Sequence, residues 1–313
     1  MVLILGVTAS GKGQLAFRLA ESFGAEIISI DSMKVYRRMD IGTAKPPKEA
    51  RERVKYHLID VVEPSESFSV AAFLDLAYQA IEQIKGRNKP IIAVGGTALY
   101  IKALLYGLFE GPRADEQIRA ELQARAAAES LPQLYRELTL VDPKACERIS
   151  PNDAKRIIRA LEVYQLTGKP ISSFQKQWNG RQKTEDRRQK DYEWEIIGLR
   201  REKTEENKRI NARVKKMIAA GFVDEVKSLL AEEKPLSPQA RCAIGYAEII
   251  DYLKGRQTLA DAVELIKKNT RRLAKSQRTW FKTFKDVNWL DIEPAESAEK
   301  ILDRTKTLIA NIK

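Results

Sequence analysis

The chain has 313 residues, 43% of them hydrophobic, and a formal net charge of +12; it has enough apolar material for a sizeable core, and its charge favours a polyanionic partner, nucleic acid first. Cys146 and Cys242 are far apart and lack CxxC spacing, which argues against a disulfide framework or a zinc cluster, and the single histidine, His57, leaves little for a His-centred triad. No run reaches the roughly 18 apolar residues of a membrane span and the apolar opening is too short for a secretory signal, so a cytoplasmic protein is expected, with no membrane partner.

In chain order, "VLILG" (2–6), "EIISID" (26–31), "YHLIDVV" (56–62) and "PIIAVGG" (90–96) are short β-rich runs separated by helical stretches. This alternation predicts an α/β fold with a parallel sheet, its strands covered on both faces. The helical stretches "GQLAFRLAESFG" and "VAAFLDLAYQAIEQIKG" both end in glycine, as helix C-caps favour.

From about Gly111 to Lys190 the composition shifts to Ala, Leu, Glu, Arg and Gln without a convincing strand. The division expected is therefore a core of residues 1–112 and 191–313 with a helical insertion, 113–190. In "PNDAKRIIRALEVYQLTGKP" (151–170), Ala154, Ile157, Ile158, Leu161 and Tyr164 form an apolar stripe, Asn152 or Asp153 can cap the start, and Gly168 can end the helix. "GRQKTEDRRQKD" (180–191) reads as a polar connection back to a fifth strand, "YEWEIIGLR" (192–200), after which the chain reads as helical to the end. There, "VELIKKNTRRLAKSQRTWFKTF" (263–284) places Val263, Ile266, Thr270, Leu273, Gln277, Trp280 and Phe284 on a packed side. Lys268, Arg271, Arg272, Lys275, Arg278 and Lys282 lie mostly opposite, a stripe suited to a phosphate backbone.

The first strand leads into "GVTASGKG" (6–13). A strand, a G-x-x-x-x-G-K loop and a helix N-terminus together make a phosphate cradle: backbone N–H groups converge, Gly6 and Gly11 allow the tight path, and Lys12 adds a point charge. Gly13 stands where such loops carry the Ser or Thr that binds magnesium, so weaker metal dependence or slower chemistry is expected, with the amide cradle intact. Ligands of open parallel sheets gather beyond the strands' carboxyl ends, which brings Asp31 and Ser32 and then Gly95, Gly96 and Thr97 around one crevice. From position alone, Asp31 is a proton acceptor, a helix cap or a magnesium carboxylate.

Together, "GVTASGKG", "DSMKVYRRMDIGTAKP", "YHLIDVVEPSESFSVAAF", "VGGTALYIKAL", "NDAKRIIRALEVYQLTGKPIS" and "QARCAIGYAEI" closely resemble the tRNA dimethylallyltransferases, also called tRNA isopentenyltransferases. The resemblance implies a P-loop NTPase-like core with a helical insertion. It also implies transfer of a dimethylallyl group from dimethylallyl diphosphate to N6 of adenosine 37, beside the anticodon of a tRNA, with release of diphosphate.

On matched positions it implies that Gly6 and the segment Thr8, Ala9, Ser10, Gly11, Lys12 and Gly13 hold the diphosphate, with Mg2+ as cofactor but no assigned protein ligand. Asp31 would accept the N6 proton or a hydrogen bond, Thr97 would line the reaction channel, and Arg213 would steady the leaving diphosphate. The anticodon stem-loop would meet Asp31, Ser32, Met33, Lys34, Thr97, Arg119, the strip Lys155, Arg156, Ile157, Ile158 and Arg159, and, on the basic helix, Lys268, Arg271 and Lys275. Lys34 replaces the family's glutamine, which puts base discrimination there in question, and Val7 replaces its usual proline. Two competitors share these features: a P-loop small-molecule or nucleoside kinase, and a tRNA-binding homologue impaired at Gly13. A monomer is expected.

Overall fold

The computed structural model describes residues 1–107, 111–112, 114–174 and 192–312; the polar connection expected over 180–191 lies outside the described residues. The first half runs β1 (Val2–Gly6), α1 (Lys12–Phe23), β2 (Glu26–Ile30), α2 (Lys48–Arg53), β3 (Tyr56–His57), α3 (Val70–Lys85), β4 (Ile91–Gly95) and α4 (Ala98–Tyr106). Five helices follow: α5 (Glu116–Ala128), α6 (Leu131–Val141), α7 (Pro143–Cys146), α8 (Ala154–Thr167) and α9 (Ile171–Phe174). The chain then forms β5 (Glu195–Arg200), α10 (Lys203–Ala219), α11 (Phe222–Leu230), α12 (Pro238–Arg241), α13 (Tyr246–Leu253), α14 (Leu259–Phe281), β6 (Val287–Asp291) and α15 (Ala298–Ile312).

The six strands make one sheet in the order β3-β2-β4-β1-β5-β6, and every pairing is parallel. The fold is α/β, as the alternating runs predict. Because β1 lies between β4 and β5, with Leu5 opposite both Gly95 and Gly198, the loop after β1 opens at the middle of the sheet, where the carboxyl ends of its neighbours converge. Ile4, Ile27, Ile92 and Ile197 pack with Leu15 and Leu19 of α1 in the core beneath it.

Two expectations are corrected. The third strand is only Tyr56–His57, because Leu58 and Asp60 adopt positive φ (62° and 56°) and turn the chain away from the ladder. The last third is not wholly helical, since β6 pairs with β5 at the sheet edge.

The described residues divide into two compact units, Met1–Leu105 with Asp191–Lys313, and Tyr106–Lys190. The second has its own core of Leu122, Leu134, Leu138, Ile157, Leu161 and Ile171. Its helix α8 starts where Asp153 Oδ1 accepts the Arg156 N–H at 3.1 Å and stops at Gly168, whose φ of 66° suits a residue without Cβ.

Candidate active site

The loop after β1 is shaped from both ends of the sequence. Gly11, at φ 100°, makes the turn into α1. Arg209 Nε of α10 donates to Ala9 O at 2.8 Å, and Arg201 Nε, just past β5, donates to Ser10 O at 2.9 Å. In a trans peptide the carbonyl and the next N–H point opposite ways, so an arginine on the Ser10 carbonyl turns the Gly11 N–H to the other side, away from Arg201. Arg213 Nη1, one helical turn beyond Arg209, stands 3.4 Å from Thr8 Oγ1.

Lys12 folds back over the loop, Nζ donating to Val7 O at 3.2 Å. Gly96 is pressed against it: an added Cβ there would stand 3.5 Å from Lys12 Nζ and 2.6 Å from Gln277 Nε2. Burial of the Lys12 ammonium is the main reason its pKa falls to about 7; the neighbouring Lys34 and Arg213 lower it further and Asp31 opposes them. Burial also lowers the pKa of Lys34 and of Arg213, with Asp31 again the opposing charge. Asp31 therefore sits within electrostatic reach of three cations in a partly dry crevice.

One oxygen of Asp31, Oδ1, accepts the N–H of Met33 (2.9 Å) and of Lys34 (3.2 Å). Thr97 Oγ1 accepts the Ser32 N–H at 3.0 Å, so the turns after β2 and β4 are fastened to each other. The segment beyond is pinned by Lys45, whose buried Nζ donates to Tyr36 O (2.5 Å), Asp40 Oδ1 (2.6 Å) and Asp60 Oδ1 (2.5 Å). A cavity of about 430 Å³ opens beside Arg213, walled by Ile41, Ala44, Pro46 and Pro47 on one side and Lys216 and Met217 on the other.

The structure thus brings Thr8, Lys12, Asp31, Lys34, Thr97 and Arg213 of the sequence reading to one crevice. Gly13 is exposed, with nothing within 4 Å of the place a Cβ would occupy. Sequence reasoning misses three residues there. Arg201 and Arg209 carry a readable signal, the first at the carboxyl end of β5 and the second four residues before Arg213 on the same helix face. Gln277 reads as a packing residue; it is buried, yet its amide joins Thr8 N to Gly96 O.

The expected nucleic-acid faces are narrower than the sequence suggests. Ile157 and Ile158 are core residues of the second unit (0% and 8% exposed), so their side chains present nothing to RNA. Arg159 Nη1 is held by Glu162 at 2.7 Å and Arg119 Nε by the same buried carboxylate at 3.0 Å, while Lys155 and Arg156 are exposed. On α14 the buried side is Ala262, Ile266, Lys267, Ala274, Gln277 and Phe281, rotated from the expected stripe, and Leu273 is 40% exposed. α14 packs against α10 and α13, and the small Ala262 and Ala274 are among its buried residues, which a reading weighted by side-chain size misses. Arg271 bonds Asn211 Oδ1 at 2.7 Å and Arg278 pairs with Glu206; Lys268, Arg272, Lys275 and Lys282 remain exposed.

Residues 34–284 match the family model described as IPP transferase. The chain is 48% identical over 291 residues to tRNA dimethylallyltransferase 2 of Geotalea uraniireducens, covering 93% of this chain and 92% of the relative. Its fold is similar to the crystal structure of the full-length tRNA isopentenylpyrophosphate transferase of Bacillus halodurans (TM-score 0.70, 40% identity, 99% of this chain and 95% of that one). It is similar also to a eukaryotic dimethylallyltransferase acting on tRNA (TM-score 0.79, 27% identity, 99% and 79%). With its P-loop-like core and this breadth of match, the chain belongs to the IPP transferase family.

Proposed function

We propose that this protein is a tRNA dimethylallyltransferase, moving a dimethylallyl group from dimethylallyl diphosphate to N6 of adenosine 37 in the anticodon stem-loop, as a monomer in the cytoplasm. The observation that carries the reading is the grouping of Asp31 with Lys12, Lys34 and Arg213 at a phosphate-binding loop. That is one carboxylate for an acceptor proton among cations for a polyanionic leaving group.

In the transfer, the N6–C1 bond forms as the bond from C1 to the diphosphate oxygen breaks. The oxygen keeps the electron pair, beside Lys12 and Arg213, and the N6 proton passes to Asp31. Since Asp31 Oδ1 already takes two backbone N–H groups, Oδ2 is the oxygen for the amine. An adenine amine is a weak nucleophile, so holding it at C1 and stabilising the departing charge supply most of the acceleration. The cavity beside Arg213 mixes charged residues with Ile41, Ala44, Pro46, Pro47 and Met217, and these apolar side chains suit the five-carbon tail. A kinase is not favoured: the similar proteins bear the names of dimethylallyl- and isopentenyltransferases, and the exposed cations of α14 suit RNA better than a small phosphate acceptor.

A magnesium ion has few protein ligands here: Gly13 has no hydroxyl, Thr8 Oγ1 is engaged by Arg213, and among the described residues no three His, Cys, Asp or Glu come together. Ser10 Oγ, buried and without a partner, is the loop hydroxyl that would hold it, with diphosphate and water supplying most of its shell. Gly13→Ser restores a hydroxyl where there is open space and replaces a helix-weakening residue. The variant is expected to reach half-maximal rate at a magnesium concentration lower by about tenfold, an effect of roughly one extra oxygen ligand, and to melt no lower than wild type. A magnesium titration of initial rates checks it.

The exposed cations of α14 give a separate expectation. Replacing Lys268, Arg272 and Lys275 together with Ala should flatten the dependence of log tRNA affinity on log salt by about 2 to 3, close to one for each phosphate no longer neutralised, with diphosphate affinity unchanged. Filter binding across a salt series measures both the slope and the affinity.

The reading as a whole is tested by incubating unmodified tRNA with the protein, magnesium and dimethylallyl diphosphate and analysing the nucleosides by mass. An adenosine heavier by one C5H8 unit at the position beside the anticodon is expected. Phosphoryl transfer from labelled ATP with no prenylated nucleoside would overturn it.

A further inference from the structure

The basic helix α14 reaches the diphosphate loop with one uncharged side chain. Gln277 Oε1 accepts the Thr8 N–H at 2.8 Å and its Nε2 donates to Gly96 O at 2.8 Å. The partners fix the orientation of the amide, since a backbone N–H only donates and a carbonyl only accepts. Along the buried side of α14, Gln277 lies between Ala274 and Phe281. A carboxamide among such residues is costly unless both its ends are matched, and here both are.

The two atoms it joins belong to opposite sides of the reaction. Thr8 lies in the loop that receives the diphosphate and its hydroxyl faces Arg213. Gly96 precedes Thr97, whose hydroxyl holds the Ser32 N–H next to Asp31. The Gly96 position has no space for a side chain, because Nε2 of Gln277 would stand 2.6 Å from its Cβ. The Thr8 N–H is also withheld from the diphosphate, so the cradle is made by later amides of the loop.

We infer that Gln277 is a positioning residue of the transfer reaction: its amide sets the spacing between the loop that grips the donor and the Asp31–Thr97 side that faces the acceptor amine. This rests on the dimethylallyl-transfer reading. A misplacement of about 1 Å between reacting groups costs on the order of 100-fold in rate, so the effect belongs in kcat.

The test compares Gln277→Met, which keeps the length and volume but removes both bonds, with Gln277→Asn, which keeps both groups one methylene short. Both are assayed for kcat, for affinity toward inorganic pyrophosphate and tRNA, and for thermal midpoint. Gln277→Met is expected to lose about 100-fold in kcat, with both affinities within about threefold of wild type, and Gln277→Asn to lose at least tenfold with the same affinities, each variant melting below wild type because buried polar groups lose their partners. The split between kcat and the two affinities is a readout that a merely structural role does not give, since lost packing lowers all three together. Wild-type kcat in a folded Gln277→Asn, or losses in kcat, both affinities and melting temperature that run in parallel, would overturn the inference. A wild-type protein that prenylates no tRNA defeats the functional reading itself, and this inference with it.

Discussion

Asp31→Asn is expected to lower the single-turnover rate by about 10²- to 10⁴-fold, the usual contribution of a positioned base, while tRNA and dimethylallyl diphosphate still bind. Asparagine is the sharper choice than alanine: its Oδ1 can still accept the N–H groups of Met33 and Lys34, so the turn after β2 keeps its shape and only the charge and the proton acceptor are removed. Removing that charge also removes the carboxylate that opposes Lys12, Lys34 and Arg213. Because Asp31 favours the ammonium form of Lys12, donor affinity should hold at pH 6 and begin to fall at a lower pH in the variant than in wild type. Rapid-quench measurement on a preassembled complex separates these effects, and a rate within tenfold of wild type removes Asp31 as the base.

Lys12→Met should act in the opposite way, weakening dimethylallyl diphosphate binding by on the order of 10- to 100-fold, the loss of one charge-assisted hydrogen bond. The pH dependence carries a sign. With a pKa of about 7 in the free protein, set by burial and then by Lys34 and Arg213 against Asp31, Lys12 is an ammonium below that pH and increasingly neutral above it. Diphosphate binds the ammonium form. Above pH 7 it must therefore restore a proton, and KM for the donor should climb toward tenfold per pH unit. Lys12→Met should abolish the climb, and initial rates from pH 6 to 9 measure both profiles.

Much of this site is legible in the sequence. Strand, glycine loop and helix succeed one another within 23 residues, and Asp31 and Thr97 directly follow apolar runs, so local pattern alone puts them at the carboxyl edge of a parallel sheet. What escapes depends on tertiary contact. Arg201 and Arg209 act on backbone carbonyls some 200 residues away, and nothing local marks a carbonyl as their target. Gln277 looks like filler because helical periodicity reports which way a residue faces and not what it meets. β6 escapes because "VNWLD" is a short edge strand with Leu290 its buried residue, too little burial to write an apolar run. Ile157 and Ile158 are carried by the family motif, and the core of the second unit claims them instead.

The placement of β5 between β1 and β6 has a consequence for synthesis on the ribosome. Until residue 195 emerges, β1 forms one border of the growing sheet, an almost wholly apolar ribbon with unpaired amides along its open side, the kind of border that invites association between nascent chains. Arg201, Arg209 and Arg213 emerge later still. A chain stalled in the intervening helices would carry every residue of the glycine loop and none of the guanidinium groups that shape it, so competence arrives late in translation.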